Sequence, residues 1–170
     1  RGIKLYKIIY TKYSNERDER FNIRTDIILD NDGKKYIQKT ALTEKAKEHI
    51  EHIYTCYKLL DHLFKGTNFK INKCEKMDEN LRFEFIEGRT LEEDLDDYLL
   101  QGDYKRIIET IKVFITDLKK GMDDNDFVIT PEFVKVFGEV ELPANIKASK
   151  FNNIDMIFEN VIQNQCWNVI

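Results

Sequence analysis

The chain has 170 residues, 42% hydrophobic and 34% charged, with a formal net charge of −4. That length suits one domain with a full core or two small lobes. The negative balance argues against nucleic acid as the main partner, and no stretch approaches the roughly 18 apolar residues of a membrane span.

Ile3 to Lys12, rich in Ile and Tyr, predicts a first strand, and Phe21 to Leu29 a second. Between them lies Ser14 to Arg20, a polar and charged loop without glycine. Asn31-Asp32-Gly33 marks a tight turn, because Asp and Gly tolerate positive φ, so Lys34 to Leu42 is a third strand, antiparallel to the second. Thr43 then opens a long helix. Ala46, Ile50, Ile53, Tyr57, Leu60 and Phe64 recur at intervals of three and four and give it one apolar face, which ends at Gly66. Phe69 to Met77 and Leu81 to Ile86 predict two more strands, joined by Asp78-Glu79-Asn80.

After Glu87-Gly88 the pattern becomes helical. Thr90 and Glu93 form a capping box for a helix reaching about Leu100. Asp103 caps the next, whose apolar positions are Ile107, Ile111, Phe114, Ile115 and Leu118 and which ends at Gly121. Thr130-Pro131 starts a short helix closing near Gly138, and Glu139 to Lys150 is irregular. Val161-Ile162, a polar turn and Trp167 to Ile170 form a short apolar hairpin. The expected class is α+β: a five-stranded antiparallel sheet with one long helix in residues 1–87, and a mostly helical part in residues 88–170. Charge divides similarly, with 17 Lys and Arg against 13 Asp and Glu in residues 1–80, and 10 against 18 in residues 81–170. Such an asymmetry suits two lobes around an anionic ligand.

Three features carry chemistry. Lys39 stands near the end of the third strand and shares a face with Ile37. A lysine on a covered face needs a carboxylate, and the following helix offers Glu44, Glu48 and Glu51. Glu48, one turn into the helix beside the apolar face, is the first choice. The strand, glycine turn and capped helix of Glu84 to Leu91 make a compact hinge whose free backbone groups suit an adenine edge. Asp155 and Asn160, five apart before the hairpin, supply one carboxylate and one amide oxygen, the pair that phosphoryl transfer uses to orient a hydroxyl and hold Mg²⁺.

These features together resemble the protein-kinase-like fold. The resemblance is to its small-molecule branch: the aminoglycoside phosphotransferases, choline kinases and lipopolysaccharide kinases. It rests on the order β-β-β-α-β-β, Tyr36-Ile37-Gln38-Lys39, the hinge Phe85-Ile86-Glu87-Gly88-Arg89-Thr90-Leu91, and Asn153 to Asn160. The resemblance implies two lobes, 1–87 and 88–170, that bind ATP and Mg²⁺ and phosphorylate a small-molecule or glycan hydroxyl. Lys39 would hold phosphates with Glu48 as its partner. Phe85 and Ile86 would line the adenine slot, Asp155 would be catalytic, and Asn160 would ligate the metal. The sequence departs from that pattern in two places. Asn153 stands where the family has His, and the loop before the second strand lacks glycine, so that Arg17 or Arg20 would have to substitute by charge. The family's second metal ligand is expected just beyond Ile170, and Arg1 is not a start residue. The chain therefore reads as a piece of a longer protein with further domains, inactive alone.

The competing expectations are a non-catalytic kinase-like module, for instance within a bacterial surface-polysaccharide biosynthesis protein, and a plain α+β interaction domain. The cysteines Cys56, Cys74 and Cys166, odd in number and without zinc spacing, fit a reducing, cytoplasmic setting. His49 and His52 lie three apart on the long helix but lack an obvious third metal ligand. The acidic run Glu92 to Asp97 reads as a solvated helix face.

Overall fold

A computed structural model describes residues 6–122, 124–149 and 155–170; Asn153 lies outside the described residues. The architecture is α+β. Strands β1 (Lys7–Tyr13), β2 (Ile23–Leu29) and β3 (Lys35–Ala41) precede helix α1 (Ala46–Leu63). Then come β4 (Phe69–Ile71), β5 (Cys74–Met77) and β6 (Asn80–Glu84). Helices α2 (Leu91–Leu100) and α3 (Tyr104–Lys120) follow, then β7 (Asn125–Asp126), α4 (Pro131–Phe137) and β8 (Lys147–Ala148), and last the hairpin β9 (Val161–Asn164) and β10 (Cys166–Val169).

Five strands form one antiparallel sheet in the order β1-β2-β3-β6-β5. The turns have the expected chemistry: Gly33 (φ 79°) closes β2 to β3 and Asp78 (φ 54°) closes β5 to β6. The capping box at Thr90 and Glu93 forms, Asp103 caps α3 by accepting from the Arg106 amide, and Thr130 caps α4.

One expected strand divides. Phe69 to Met77 breaks at Asn72-Lys73, and only β5 joins the large sheet. β4 instead pairs in parallel with β10, Phe69 opposite Trp167. Asn72 makes the break. Its backbone amide donates to Val169 O at 2.9 Å and its side chain to Glu84 O at 2.9 Å, so one residue bridges the two sheets. The segment 139–149, expected to be irregular, contributes the two-residue strand β8 against β7.

Two hydrophobic cores result, and α1 enters both. Ile50 packs with Ile23, Cys74 and Leu81 beneath the five-stranded sheet. About three to four turns further on, Leu60 and Phe64 pack with Phe69, Leu91, Leu95, Phe114, Val161, Trp167 and Val169. The periodic face of α1 is thus one stripe serving two cores. On α3 the expected face is narrower. Phe114 is buried and Ile107, Ile111 and Leu118 pack beside it, but Ile115 is exposed.

The second core encloses a carboxylate. Asp117, 4% exposed, accepts from Asn68 Nδ2 at 2.9 Å, Trp167 Nε1 at 3.0 Å and Lys120 Nζ at 2.6 Å. These bonds, led by that from Lys120, hold its pKa down from 3.8 to about 2. A depressed carboxylate contributes stability that is complete above its unfolded pKa and vanishes as pH falls through the folded one, here between about pH 4 and 2, worth about 2 kcal/mol. Asp117→Asn should therefore lower the urea midpoint at pH 7 and flatten its acid dependence in that window. Wild type and variant losing stability in parallel below pH 4 would show that Asp117 is not the group responsible.

Candidate functional site

Lys39 sits in the middle of the sheet, in register with Thr25 of β2 and Leu81 of β6. Its side chain is half-buried, with the ammonium 5.4 Å from the centroid of the Phe83 ring. Burial pushes its pKa below the ordinary lysine value, and the Arg17 guanidinium adds to this. Asp155 and Cys74 pull the other way. The carboxylate that reaches Lys39 electrostatically is therefore Asp155, 116 positions along the chain. Burial of the neighbouring Cys74 pushes that thiol up to about 11.

The glutamates expected to serve Lys39 lie elsewhere. Among the described residues Lys39 makes no ion pair within 4 Å. Glu44 pairs with Lys47 at 2.9 Å, Glu51 pairs with Lys76, and Glu48 is exposed. Helix geometry explains this. At about 100° per residue, Glu48 lies about 160° from the buried Ile50, whereas His49 lies about 40° from Ile53, at the edge of the inward stripe. The polar residue that α1 turns toward the sheet is therefore His49. It packs edge-on against Phe21, ring centroids 5.1 Å apart. Its pKa is lowered first by burial, then by His52, Lys39 and Arg17. Wheel arithmetic on α1 would have picked out His49 from the sequence; spacing to Lys39 along the chain does not.

Asp155 and Asn160 do come together. The turn Phe158–Asn160 precedes β9, and Asn160 Nδ2 donates to the Asp155 backbone carbonyl at 2.8 Å. Asn160 O in turn accepts from Ile170 N at 3.0 Å, which fastens the loop to the end of the hairpin. Met156 and Phe158 face inward, Phe158 edge-on to Phe114 at 5.4 Å, while Asp155 stays exposed. The five-residue spacing is thus the span of a loop pinned by alternate apolar residues. With its amide nitrogen engaged, Asn160 has its side-chain oxygen to offer a cation.

The hinge divides its two candidate residues. Lys35 lies over the Phe85 ring at 5.1 Å and pairs with Glu87 at 2.8 Å. Ile86 faces the other way, into a cavity of about 540 Å³ bounded by Phe64, Phe69, Asn72 and Asn168. Neither Lys39 nor Asp155 lines that cavity. Gly88 (φ 151°) lies so close to β9 that a Cβ there would come within 2.6 Å of Ile162 Cγ2. The acidic run of α2 is only partly a solvated face, since Arg89 binds Asp94 at 3.0 Å and also Asp97.

Among the described residues no three His, Cys, Asp or Glu side chains converge on a metal position, and His52 faces Cys56 at 3.4 Å. No helix among them is long and apolar enough to cross a membrane. No protein-family model matches the chain, and no curated protein or solved structure is significantly similar to it.

An ammonium kept beneath a sheet without a close counter-ion costs stability. For a lysine with a lowered folded pKa that cost is full below the lowered value and is relieved as pH rises past it toward the unfolded one. Lys39→Met should therefore stabilise the ligand-free chain by about 1 kcal/mol at pH 7, read as a higher urea midpoint, because lost burial cost outweighs the lost attraction to Asp155. A lower midpoint would show that Lys39 is held by a stabilising partnership instead.

Proposed function

We propose that this chain is a kinase-like phosphotransferase domain whose two lobes, 1–87 and 88–170, bind ATP and Mg²⁺ between Lys39 and Asp155. The reaction is transfer of the terminal phosphoryl group to a hydroxyl of a small molecule or glycan, leaving ADP and a phosphate ester. The observation that carries this reading is that Asp155, on a loop braced by Asn160, acts electrostatically on Lys39, which among the described residues makes no ion pair within 4 Å. A lysine without a close carboxylate leaves the counter-ion position open to an anionic ligand.

The residues fit a nucleotide-bound Mg²⁺ better than a metal caged by protein. Mg²⁺ keeps water and phosphate oxygens and takes only one or two protein ligands, and Asn160 offers one such oxygen. Bound between the phosphates, the ion would neutralise charge on the transferring group. Lys39 holds and orients the phosphates. Asp155 takes the proton of the attacking hydroxyl. Asn160 sets the direction of Asp155 through the 2.8 Å bond to its backbone.

A second reading, a nucleotide-binding module without catalysis, is favoured by the fastening of the β1–β2 loop. Glu19 pairs with Lys45 at 2.6 Å and its carbonyl accepts from Thr43 Oγ1 at 2.9 Å, so the loop is held to the start of α1. Binding and transfer are separable in one experiment on a longer chain that extends past Ile170, where the second metal ligand is expected. Millimolar ATP with Mg²⁺ should raise the melting temperature of wild type and Asp155→Asn alike by mass action, and only wild type should then consume ATP when small hydroxyl acceptors are added. Stabilisation without consumption by either protein would establish the binding module. No stabilisation of either would end the nucleotide reading.

A further inference from the structure

Helix α3 is the basic exception in an acidic half of the chain. Residues 81–170 carry 10 Lys and Arg against 18 Asp and Glu, and five of those ten cations, Lys105, Arg106, Lys112, Lys119 and Lys120, stand on α3 beside only two carboxylates. Arg106 and Lys120 are engaged: Arg106 lies over the Tyr98 ring at 4.3 Å, and Lys120 pairs with Asp117 at 2.6 Å. The other three recur every seven residues, so they form one row that turns only slowly about the helix axis. All three are exposed. Among the described residues Lys112 and Lys119 make no ion pair within 4 Å, and Lys105 reaches only Glu109, at 3.9 Å.

Beside that row runs an apolar seam. Tyr104, Ile108, Ile111, Ile115 and Leu118 follow at intervals of four, three, four and three, the alternation of a heptad repeat. Ile111 and Leu118 rest on the margin of the second core, whereas Tyr104, Ile108 and Ile115 are 63, 52 and 43% exposed. In heptad terms Ile108 and Ile115 stand at a, Tyr104, Ile111 and Leu118 at d, and each lysine at e, the position that in a helix pair meets the partner's charged flank. The opposite flank, g, holds Ile107 and Phe114, which pack in the second core. One side of the seam is thus closed by the protein, and the other is a basic row.

These flanks decide the occupant. A second copy of α3 fits poorly. An antiparallel pair would set e against e, lysine against lysine, and a parallel pair would set e against a g flank that is already packed. An anionic bilayer would be repelled by the carboxylates that dominate this half of the chain, and a helix lying in a bilayer interface keeps both flanks of its apolar face clear for headgroups. A helix with acidic residues on one flank meets neither obstacle. We propose that the seam of Tyr104, Ile108 and Ile115 docks an amphipathic helix of a partner protein, apolar at its own a and d positions and carrying Asp or Glu along the flank that meets Lys105, Lys112 and Lys119. No residue of this surface belongs to the Lys39 and Asp155 site, and the proposal does not depend on the nucleotide reading.

Fluorescence anisotropy tests it with two labelled peptides of about four heptads, both with Leu at a and d, one with Glu and the other with Lys at e and g, so that like charges keep each peptide from pairing with itself. The wild-type chain should bind the Glu peptide and not the Lys peptide. The triple variant Lys105→Glu, Lys112→Glu, Lys119→Glu should bind the Glu peptide at least about ten-fold more weakly and take the Lys peptide instead. The same three reversals at Lys58, Lys70 and Lys135 should change neither affinity. All six lysines are exposed, so an unaltered melting temperature can verify that each variant is folded. No binding of the Glu peptide, equal affinity for the two peptides, or equal losses from the two sets of reversals would overturn the proposal. So would sedimentation showing that the wild-type chain pairs with itself in a manner lost in Ile115→Gln, or flotation with phosphatidylserine vesicles that the α3 reversals abolish.

Discussion

A buried carboxylate that must stay ionised organises the molecule. Asp117 on α3 accepts from Asn68, which follows α1, from Trp167 on β10, and from Lys120 on its own helix. Each donor arrives from a different segment, so the carboxylate is satisfied only when those segments are in place together. Removing one donor leaves charge in a low-dielectric core, which costs more than the bond itself is worth. Around it, Phe64, Phe69, Phe114 and Trp167 contact one another at centroid distances of 5.2 to 6.2 Å. The polar bonds fix the register of this aromatic cluster; the aromatic area supplies its stability.

From that centre the candidate site follows in two directions. Phe158 leans on Phe114 and holds the loop that carries Asp155 and Asn160. Phe69 pairs with Trp167, which aligns β4 with β10, and Asn72 then passes the alignment to β6 through Glu84. β6 lies beside β3, and β3 carries Lys39. α1 reinforces the same link because its stripe enters both cores. Lys39 and Asp155, far apart in sequence, are thus linked through one continuous run of packed and hydrogen-bonded elements. At the proposed site the electrostatics run against stability: burial lowers the pKa of both Lys39 and His49, and among the described residues Lys39 makes no ion pair within 4 Å. Folds commonly retain such arrangements where a ligand must be bound.

The elements were largely legible in the sequence because local physics writes them there. The capping box at Thr90, the Asp103 cap, the Pro131 start and the glycine turn at Gly33 depend on neighbours within four residues, and each forms. The break at Asn72 was not legible. It is caused by a bond from its amide to Val169, almost a hundred positions away, and Phe69 to Met77 has ordinary strand composition on both sides of it. Asp117 was missed for the same reason, since a carboxylate on an amphipathic helix reads as solvent-facing until its three donors are known. In the candidate site, Asp155 and Asn160 were found through a local spacing that a side-chain bond enforces. Glu48 stands one turn into the helix, but angle about the helix axis decides which side chain meets the sheet, and that angle puts Glu48 opposite the apolar face and favours His49. Phe85 and Ile86 are consecutive in an extended hinge, so their side chains point to opposite sides.

The central claim, that the space between Lys39 and Asp155 takes the phosphates of a nucleotide, is tested most directly by a crystal structure of the chain with Mg²⁺ and a non-hydrolysable ATP analogue. The terminal phosphates should lie within hydrogen-bond reach of Lys39, with the metal on the Asn160 side-chain oxygen. An analogue seated instead in the cavity behind Ile86, with Lys39 and Asp155 untouched, would contradict it.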